Sequence, residues 1–396
     1  MRDTIIKTSF RSKMVLLSLF FIFVFPKAGF YHGLMPISFS YIFMFVIAFF
    51  VILININRFN FFPKNLILLL LFFLNIVILL WCYIHTSTSN ATINPNFYFV
   101  ALNYSIVPVA AFSLASYIIK NNCLAQFRKV LIIAFYFVMI FGVIQFIFAN
   151  MRHPIGIPYL TMTGENFSRL LYGKDNNRGF IIKGFSTYGN GNLYGVCIAL
   201  WGPLVVYYLR DSIKNKTLFY INMIITFSRT VWVGLFFIIM ARLRLISKKY
   251  FKMGILMGLI LLIFWVINGI HRGFLIDPTL GGRIHQFYDL HLSLFPQSYS
   301  VFYEITYLDV LQSFGIFGLI AFVCLYFYPL CIRCDNDFSK VCKIGIFTYL
   351  VMMCSDGVYY LIPVGFIFWF VVALMMQTAC FTNLQIQTAF SIPIKE

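Results

Sequence analysis

The sequence predicts an all-α, polytopic integral membrane protein with about 12 transmembrane helices and both termini in the cytoplasm. Of its 396 residues, 61% are hydrophobic and only 11% are charged. A soluble fold could not hide so much apolar surface, because its outside needs a polar covering. Apolar runs of 16 to 24 residues also recur along the whole chain. Such runs are long enough for a helix to cross the bilayer, and they are apolar on every face, which argues against barrel strands.

The apolar runs give the bounds of the spans. The basic N-terminal segment is followed by an apolar run without a small-residue cleavage site, so we expect an uncleaved first span. No soluble domain and no internal repeat interrupts the series, so residues 1–396 are expected to form a single transmembrane domain. The expected spans are 14–31, 36–54, 66–84, 98–119, 130–149, 191–209, 217–227, 231–246, 253–270, 307–330, 344–360 and 363–380.

Arg229 decides how the apolar run between 217 and 246 is divided. If residues 217–241 formed one span, the basic connector 242–252 would lie on the same side as the long loop 150–190. That placement would break the positive-inside bias. Two short helices, tilted or re-entrant, that meet at Ser228-Arg229-Thr230 restore the bias. We therefore expect Arg229 at the tip of a hairpin near the outer face.

The resulting topology leaves few cations outside the cytoplasm. Of the 30 Lys and Arg residues, 21 fall inside, whereas all six histidines fall outside. The outer loops are 150–190 and 271–306, and they hold most of the outer cations. The nine outer cations are Lys27, Arg152, Arg169, Lys174, Arg178, Lys183, Arg229, Arg272 and Arg283.

The outer cations favour an anion-binding site. Outer segments are expected to be poor in Lys and Arg, yet eight of the nine outer cations lie in the two loops and the hairpin. Arginine matches phosphate and carboxylate oxygens in a bidentate manner. The alternative is that long translocated loops escape the topology bias and carry an ordinary polar surface.

Glu304 is the candidate general base. It begins the stretch EITYLDVLQSFGIFGLI, where the chain enters an apolar segment. A carboxyl group beside an apolar slab and near arginines has a protonation state that its surroundings can tune. Alternatively, Glu304 simply favours the N-terminus of a helix. Asp309, about one turn further along, competes for the same role.

Other motifs point to no cofactor. The acidic DND at 335–337 lies on a short cytoplasmic connector, and the CIRC sequence with Cys342 lacks a fourth zinc ligand. The sequence has no Gly-rich nucleotide loop, and its nine cysteines show no disulfide pattern. We expect no metal, no cofactor and no nucleic-acid partner, since topology explains the net charge of +18.

Four stretches, in this order, resemble the bacterial O-antigen polymerases (Wzy type) and the related O-antigen ligase superfamily of membrane glycosyltransferases. They are KGFSTYGNGNLYG (183–195), TFSRTVWVGL (226–235), GGRIHQFYDL (281–290) and EITYLDVLQSFGIFGLI (304–320). Arg178 is followed after ten residues by Gly189, and this pattern also resembles a loop motif of some polymerases. The resemblance covers about residues 178–320. Ligases usually have His where this chain has Glu304, and this favours the polymerase.

The resemblance implies a function. A growing glycan would be transferred from undecaprenyl pyrophosphate to the next lipid-linked repeat, at the periplasmic face of the bacterial inner membrane. Arg229 and Arg283 would bind the leaving pyrophosphate, with support from Arg178, Lys183 and Arg272. Glu304 would accept the proton of the attacking hydroxyl, positioned by Tyr307. A chain-length regulator and a flippase are the implied protein partners, alongside membrane lipids.

Two alternatives stay open at this point. An O-antigen ligase uses the same donor and differs only in its acceptor. A flippase or transporter for the lipid-linked repeat belongs to another class, and such proteins commonly show paired repeats or charges near the middle of the membrane. This chain shows neither pattern, since its charges gather at one face.

Overall fold

A computed structural model provides the structure of the protein. It describes residues 9–32, 35–54, 65–89, 91–153, 155–164, 173, 176–178, 181–246, 283, 285–356 and 358–390. The described chain is mostly helical, in agreement with the predicted fold class. Its helices are α1 Phe10–Val24, α2 Phe39–Ile54, α3 Leu66–Thr88, α4 Asn96–Tyr104, α5 Ile106–Lys120, α6 Leu124–Asn150, α7 Gly191–Leu204, α8 Ile213–Ile225, α9 Arg229–Ile246, α10 His285–Tyr288, α11 Thr306–Cys331, α12 Asp337–Met352, α13 Ile362–Thr378 and α14 Asn383–Phe390.

Several helices are compatible with a multi-pass membrane protein. Among the described residues, five helical segments are long and apolar enough to cross a bilayer, namely Leu66–Thr88, Asn96–Lys120, Leu124–Asn150, Gly191–Leu209 and Thr306–Cys331. α2 and α13 are apolar but shorter. The predicted span 253–270 lies outside the described residues. The structure therefore supports the membrane class, while the number of crossings stays a prediction.

The core is built around α13. This helix is buried along nearly its whole length, with Phe366 and Trp369 fully enclosed. It packs against α5, α12 and α7. α3 lies at the periphery and exposes much of its apolar surface, for example Phe73 and Leu80. An apolar exterior of this kind suits a lipid environment.

The run around Arg229 is divided, as the charge pattern predicted. α8 ends at Ile225 and α9 begins at Arg229. Phe227, between them, has a φ of 44°, a value that a helix cannot contain. The two helices are therefore separate elements.

Two predicted spans end earlier in the structure, and a third, 98–119, is divided at Ser105 between α4 and α5. The first was predicted to reach residue 31, but α1 ends at Val24, because Pro26 has no N–H to continue the helix and forces Phe25 out of the helical region. A hairpin follows, in which β1 (Gly29–His32) pairs with antiparallel β2 (Met35–Ser38), so the fold is not entirely α.

The second difference concerns the predicted span 344–360. α12 ends at Met352, and a separate 3₁₀ turn spans Val358–Tyr360. The last helical turn tightens, since the Cys354 and Ser355 N–H groups donate to carbonyls three residues back. The chain between these elements turns and presents Asp356 to the neighbouring helices.

α11 is interrupted at Gly315. This residue has φ 69° and ψ −174°, a combination that is essentially confined to glycine. The segment 293–297 packs against the interruption, where the Ile316 N–H donates to the Ser293 carbonyl over 2.9 Å and the Gln297 N–H donates to the Ser313 carbonyl over 2.9 Å. The interruption thus fixes the segment 293–297 against α11.

Candidate functional site

Five charged and amide side chains form one connected polar network. The Lys183 ammonium donates to the Asn192 side-chain oxygen over 3.0 Å. The Asn192 amide in turn donates to the Asp356 carboxylate over 2.7 Å. An Arg283 terminal nitrogen lies 4.0 Å from the same Asp356 oxygen, and Arg283 Nε donates to Glu304 over 2.8 Å. Residues more than 170 positions apart in the sequence therefore meet at one place.

The two ends of this network differ in exposure. Lys183 is only 1% exposed, whereas the Glu304 side chain is 55% exposed and the Arg283 side chain 19%. A buried ammonium is costly unless it is hydrogen-bonded, and Asn192 provides that bond. An exposed ion pair contributes little to stability, so the Arg283–Glu304 contact contributes mainly to orientation. The network thus runs from the protein interior to an open face.

The first half of the network is positioned by the Gly/Asn-rich stretch before α7. The Lys183 N–H donates to the Asn176 carbonyl over 2.9 Å, and the Gly184 N–H donates to the Ile225 carbonyl over 2.7 Å. Asn190 caps α7 through its side chain. A Cβ at Gly191 would lie 3.0 Å from the Lys183 side chain, so glycine leaves the room that the lysine occupies. The Gly/Asn-rich stretch therefore positions the Lys183 side chain.

Asp356 is fixed from two sides. The Thr306 hydroxyl donates to its carbonyl over 2.9 Å, which ties the turn after α12 to the start of α11. The neighbouring Ser355 shares a 2.7 Å hydrogen bond with Thr230 of α9. Burial raises the pKa of the Asp356 carboxyl, while Arg283, the Asn192 amide and Lys183 act in the opposite direction. Asp356 is thus a largely buried acid at the junction of three helices.

Arg229 lies at the same junction. It is the first residue of α9, directly before the Thr230 that bonds to Ser355, and it is partly exposed. Arg178 is exposed, and its N–H donates to the Ile181 carbonyl over 2.9 Å. Two residues earlier, Asn176 links the chain to α7, because its side chain donates to the Gly189 carbonyl and accepts from the Gly191 N–H. The backbone of both arginines therefore lies next to residues that contact elements of the network.

The other predicted residues are placed differently. The Tyr307 hydroxyl donates to the Leu350 carbonyl over 2.9 Å, so it joins α11 to α12 and lies outside the network. Arg272 lies outside the described residues. Of the predicted site residues, the structure therefore brings Lys183, Arg283 and Glu304 together in the network.

Asp309 does not compete with Glu304 for an open position. It is fully buried, and its carboxylate accepts from the Tyr299 hydroxyl, the Tyr359 hydroxyl and the Tyr303 N–H over 3.0, 2.5 and 2.7 Å. Three donors occupy its oxygens. Because Tyr303 directly precedes Glu304, Asp309 holds the backbone that carries Glu304.

The acidic motif that we set aside lies at the surface, whereas Cys342, considered with the CIRC sequence, is buried. Asp335 pairs with Arg333 over 3.2 Å, and Asp337 pairs with Lys340 over 3.0 Å, with all four side chains exposed. Within the described part of the chain, no group of three or more His, Cys, Asp or Glu side chains is arranged to hold a metal ion. The network of Lys183, Asn192, Arg283, Glu304 and Asp356 therefore lies near the starts of α7 and α11.

Two members of the network were not among the predicted site residues. Asn192 lies within the KGFSTYGNGNLYG stretch, and its position two residues after the helix cap was an available signal. Asp356 falls inside the predicted span 344–360. A lone carboxylate within an apolar run is a functional-site hypothesis by default, so this signal was also present.

The arrangement combines anion-binding groups with carboxylates. Arginine has five N–H donors, and among the described residues Arg283 uses only Nε in a hydrogen bond. Its other N–H groups can donate to phosphate oxygens while Nε keeps Glu304 in place. Comparison of the chain with known protein families, with curated proteins and with solved structures finds no match.

Proposed function

We propose that this protein is an O-antigen polymerase, a metal-independent membrane glycosyltransferase at the periplasmic face of the bacterial inner membrane. It transfers the growing glycan from undecaprenyl pyrophosphate to a sugar hydroxyl of the next lipid-linked repeat. The observation that carries this proposal is the contact of Arg283 with both Glu304 and Asp356, at one end of a set of apolar helices. Cations and carboxylates are the groups that this transfer requires.

The leaving group explains the cations. As the bond between the anomeric carbon and the pyrophosphate oxygen breaks, negative charge builds on that oxygen. Preorganised donors stabilise such charge without reorganising. Arg283 offers its unused donors, and Arg229 lies at the start of a neighbouring helix. Lys183 acts from the interior, since its ammonium is fixed by Asn192 and lends positive potential to the pocket.

The acceptor explains the exposed carboxylate. The acceptor hydroxyl forms the new bond to the anomeric carbon and loses its proton as it does so. Glu304 is exposed, is oriented by Arg283, and can take this proton. Asp356 is buried between Asn192 and Arg283 and so serves to hold Arg283 in place. The roles divide between an accessible base and a buried positioning residue.

Cells test the proposal directly. Loss of the protein should leave lipopolysaccharide capped with a single repeat, because ligation continues without polymerisation. Arg229→Ala and Glu304→Gln should give the same pattern while the protein stays in the membrane. Wild-type ladders from either variant would remove that residue from the site.

The same experiment separates the related ligase. A ligase mutant would carry lipopolysaccharide without any repeat, and the uncapped core would be visible on a gel. A flippase mutant would lack lipid-linked repeats on the outer face, so isolated spheroplasts would expose none to an added lectin. Either pattern would contradict the assignment as a polymerase.

A further inference from the structure

A groove lies at the end of the molecule away from the polar network. It has a volume of about 960 Å³ and is lined by α1, α2 and α5. α1 runs towards the network, because its last residues, Phe23 and Val24, accept hydrogen bonds from the hydroxyls of Tyr188 and Thr187. Arg11, in the first turn of α1, therefore lies at the opposite end.

The floor of the groove is apolar and its mouth is polar. Val15, Ile47 and Val51 are buried in its floor. Tyr117, whose hydroxyl shares a 3.2 Å hydrogen bond with that of Ser12, lines the groove together with the exposed Asn121. Such a division suits a ligand with a polar head and apolar chains.

Arg11 gives the mouth a positive charge. It is the charged residue among those that line the groove, it is exposed, and within the described residues it has no ion pair or hydrogen bond through its side chain. Lys13 lies in the same turn of α1 as Arg11, and Lys120 lies in the same turn of α5 as Tyr117. The chain before α1 and after α2 is also basic in sequence, with Arg2, Lys7, Arg58 and Lys64. An anionic head complements this end of the molecule.

We propose that this groove binds an anionic glycerophospholipid of the surrounding bilayer. Its phosphate pairs with Arg11, and one acyl chain lies along the floor between α1 and α2. Basic pockets between membrane helices are known to receive anionic head groups. Phe50 and Ile54 line the open side and are half exposed, so a chain can enter laterally from the bilayer. The site is separate from the proposed transfer reaction.

Native mass spectrometry of the purified full-length protein tests the site. The probes are dioleoyl phosphatidylglycerol and dioleoyl phosphatidylcholine, each added at equal amounts. Wild type should retain the phosphatidylglycerol severalfold more than the phosphatidylcholine. Arg11→Gln should lower retention of the anionic lipid to the level of the zwitterionic one.

Lys13→Gln is the matched control. Lys13 is an exposed cation on the same helix but two residues away, and it does not line the groove. Residues separated by two positions point to different faces of a helix. This variant should retain phosphatidylglycerol as wild type does. Equal losses from Arg11→Gln and Lys13→Gln would overturn the proposal, because they would indicate attraction by net charge alone.

A second variant tests the apolar part independently of the charge. Ile54→Trp places a larger side chain at the open side, where the exposed position tolerates it, and should lower retention of both lipids. Unchanged retention in Ile54→Trp would overturn the proposed path of the acyl chain. Retention that appears only after residues 1–8 are deleted would assign the groove to that segment instead of a lipid and would likewise overturn the proposal.

Discussion

Arg283 joins the two carboxylates of the proposed site. Its Nε donates to Glu304 over 2.8 Å, and a terminal nitrogen lies 4.0 Å from Asp356. Arg283→Ala should lower the rate of glycan elongation about 100-fold, in line with the loss of one preorganised donor. Arg283→Lys should recover only part of that loss, because an ammonium cannot contact both carboxylates and a phosphate through a planar fork. Polymer formation by membranes that contain each variant measures the effect.

Arg333→Ala is the control for this prediction. Arg333 is also paired with a carboxylate, Asp335, but the pair is exposed and lies in the connector between α11 and α12. Its loss should leave elongation unchanged. Equal effects of the two alanine variants would show that the Arg283 pair has no special role.

Asp356 links the proposed site to stability. Burial raises the pKa of its carboxyl in the folded protein, so between the unfolded and folded pKa values the folded state binds more protons. The free energy of unfolding then falls as pH rises through that interval. Asp356→Asn removes this loss of stability at higher pH, because asparagine does not ionise. We expect this variant to melt a few degrees above wild type at about pH 8, and the difference to shrink towards about pH 5.

Asp335→Asn provides the comparison, since this carboxylate is exposed at the surface. It should change the melting temperature little at either pH. An Asp356→Asn protein that melts below wild type at the higher pH would show that the pairing with Arg283 outweighs burial. It would also place Asp356 among the residues that mainly stabilise the fold.

At the residue scale, three of the side chains that the sequence singled out lie together in the structure, while their roles in the reaction stay predictions. Lys183, Arg283 and Glu304 were selected because cations and acids are rare in this chain outside its connectors, and the structure joins them in one network. Asp356 was missed, because a predicted span covered it and a single polar residue does not move the apparent end of an apolar run. Its partners, Asn192 and Arg283, are far away in sequence. Only the packing of α7 and α12 reveals such a contact.

The interruption of α11 is the element that holds the segment 293–297. A Cβ at position 315 would lie 2.6 Å from the Phe295 carbonyl oxygen, and the φ of 69° already disfavours any side chain. Gly315→Ala should cost about 1 to 3 kcal/mol. It should also lower elongation, because this segment leads directly to Glu304. Thermal unfolding in detergent and polymer length in membranes are the two measurements.

Ile320→Ala, on the exposed face of the same helix, is the control for the interruption. It removes apolar volume without entering the contact with Phe295. The two variants should therefore differ in elongation. A Gly315→Ala protein with wild-type stability and activity would contradict the role given to this contact.

Element-scale prediction was accurate for long apolar helices and poor at their ends. α3 and α11 follow the predicted spans closely, because continuous apolar runs leave few alternatives, whereas α6 begins at Leu124 and not at the predicted residue 130. The division between α8 and α9 was inferred from charge balance. The β1–β2 hairpin was not predicted, since strand pairing depends on contacts and not on composition. The non-helical geometry at Gly315 follows from its contact with residues 293–297 and has no signature in a sequence rich in glycine.

The proposed orientation of the whole molecule can be tested by labelling. In a background without the nine native cysteines, a cysteine at the exposed position 178 should react with an impermeant maleimide in intact spheroplasts. A cysteine at Lys120, at the far end of α5, should react only after permeabilisation. The reverse pattern would place the polar network on the cytoplasmic side and would exclude a periplasmic reaction.

The account rests on a pocket that binds a pyrophosphate-linked lipid and transfers its glycan. The most direct measurement is elongation by the purified protein, with an undecaprenyl-pyrophosphate-linked repeat as the only substrate and a chelator present. Wild type should produce a ladder of polymers, and Arg283→Ala should produce almost none. A wild-type protein that makes no polymer, or an Arg283→Ala protein that makes the same ladder, would contradict the account.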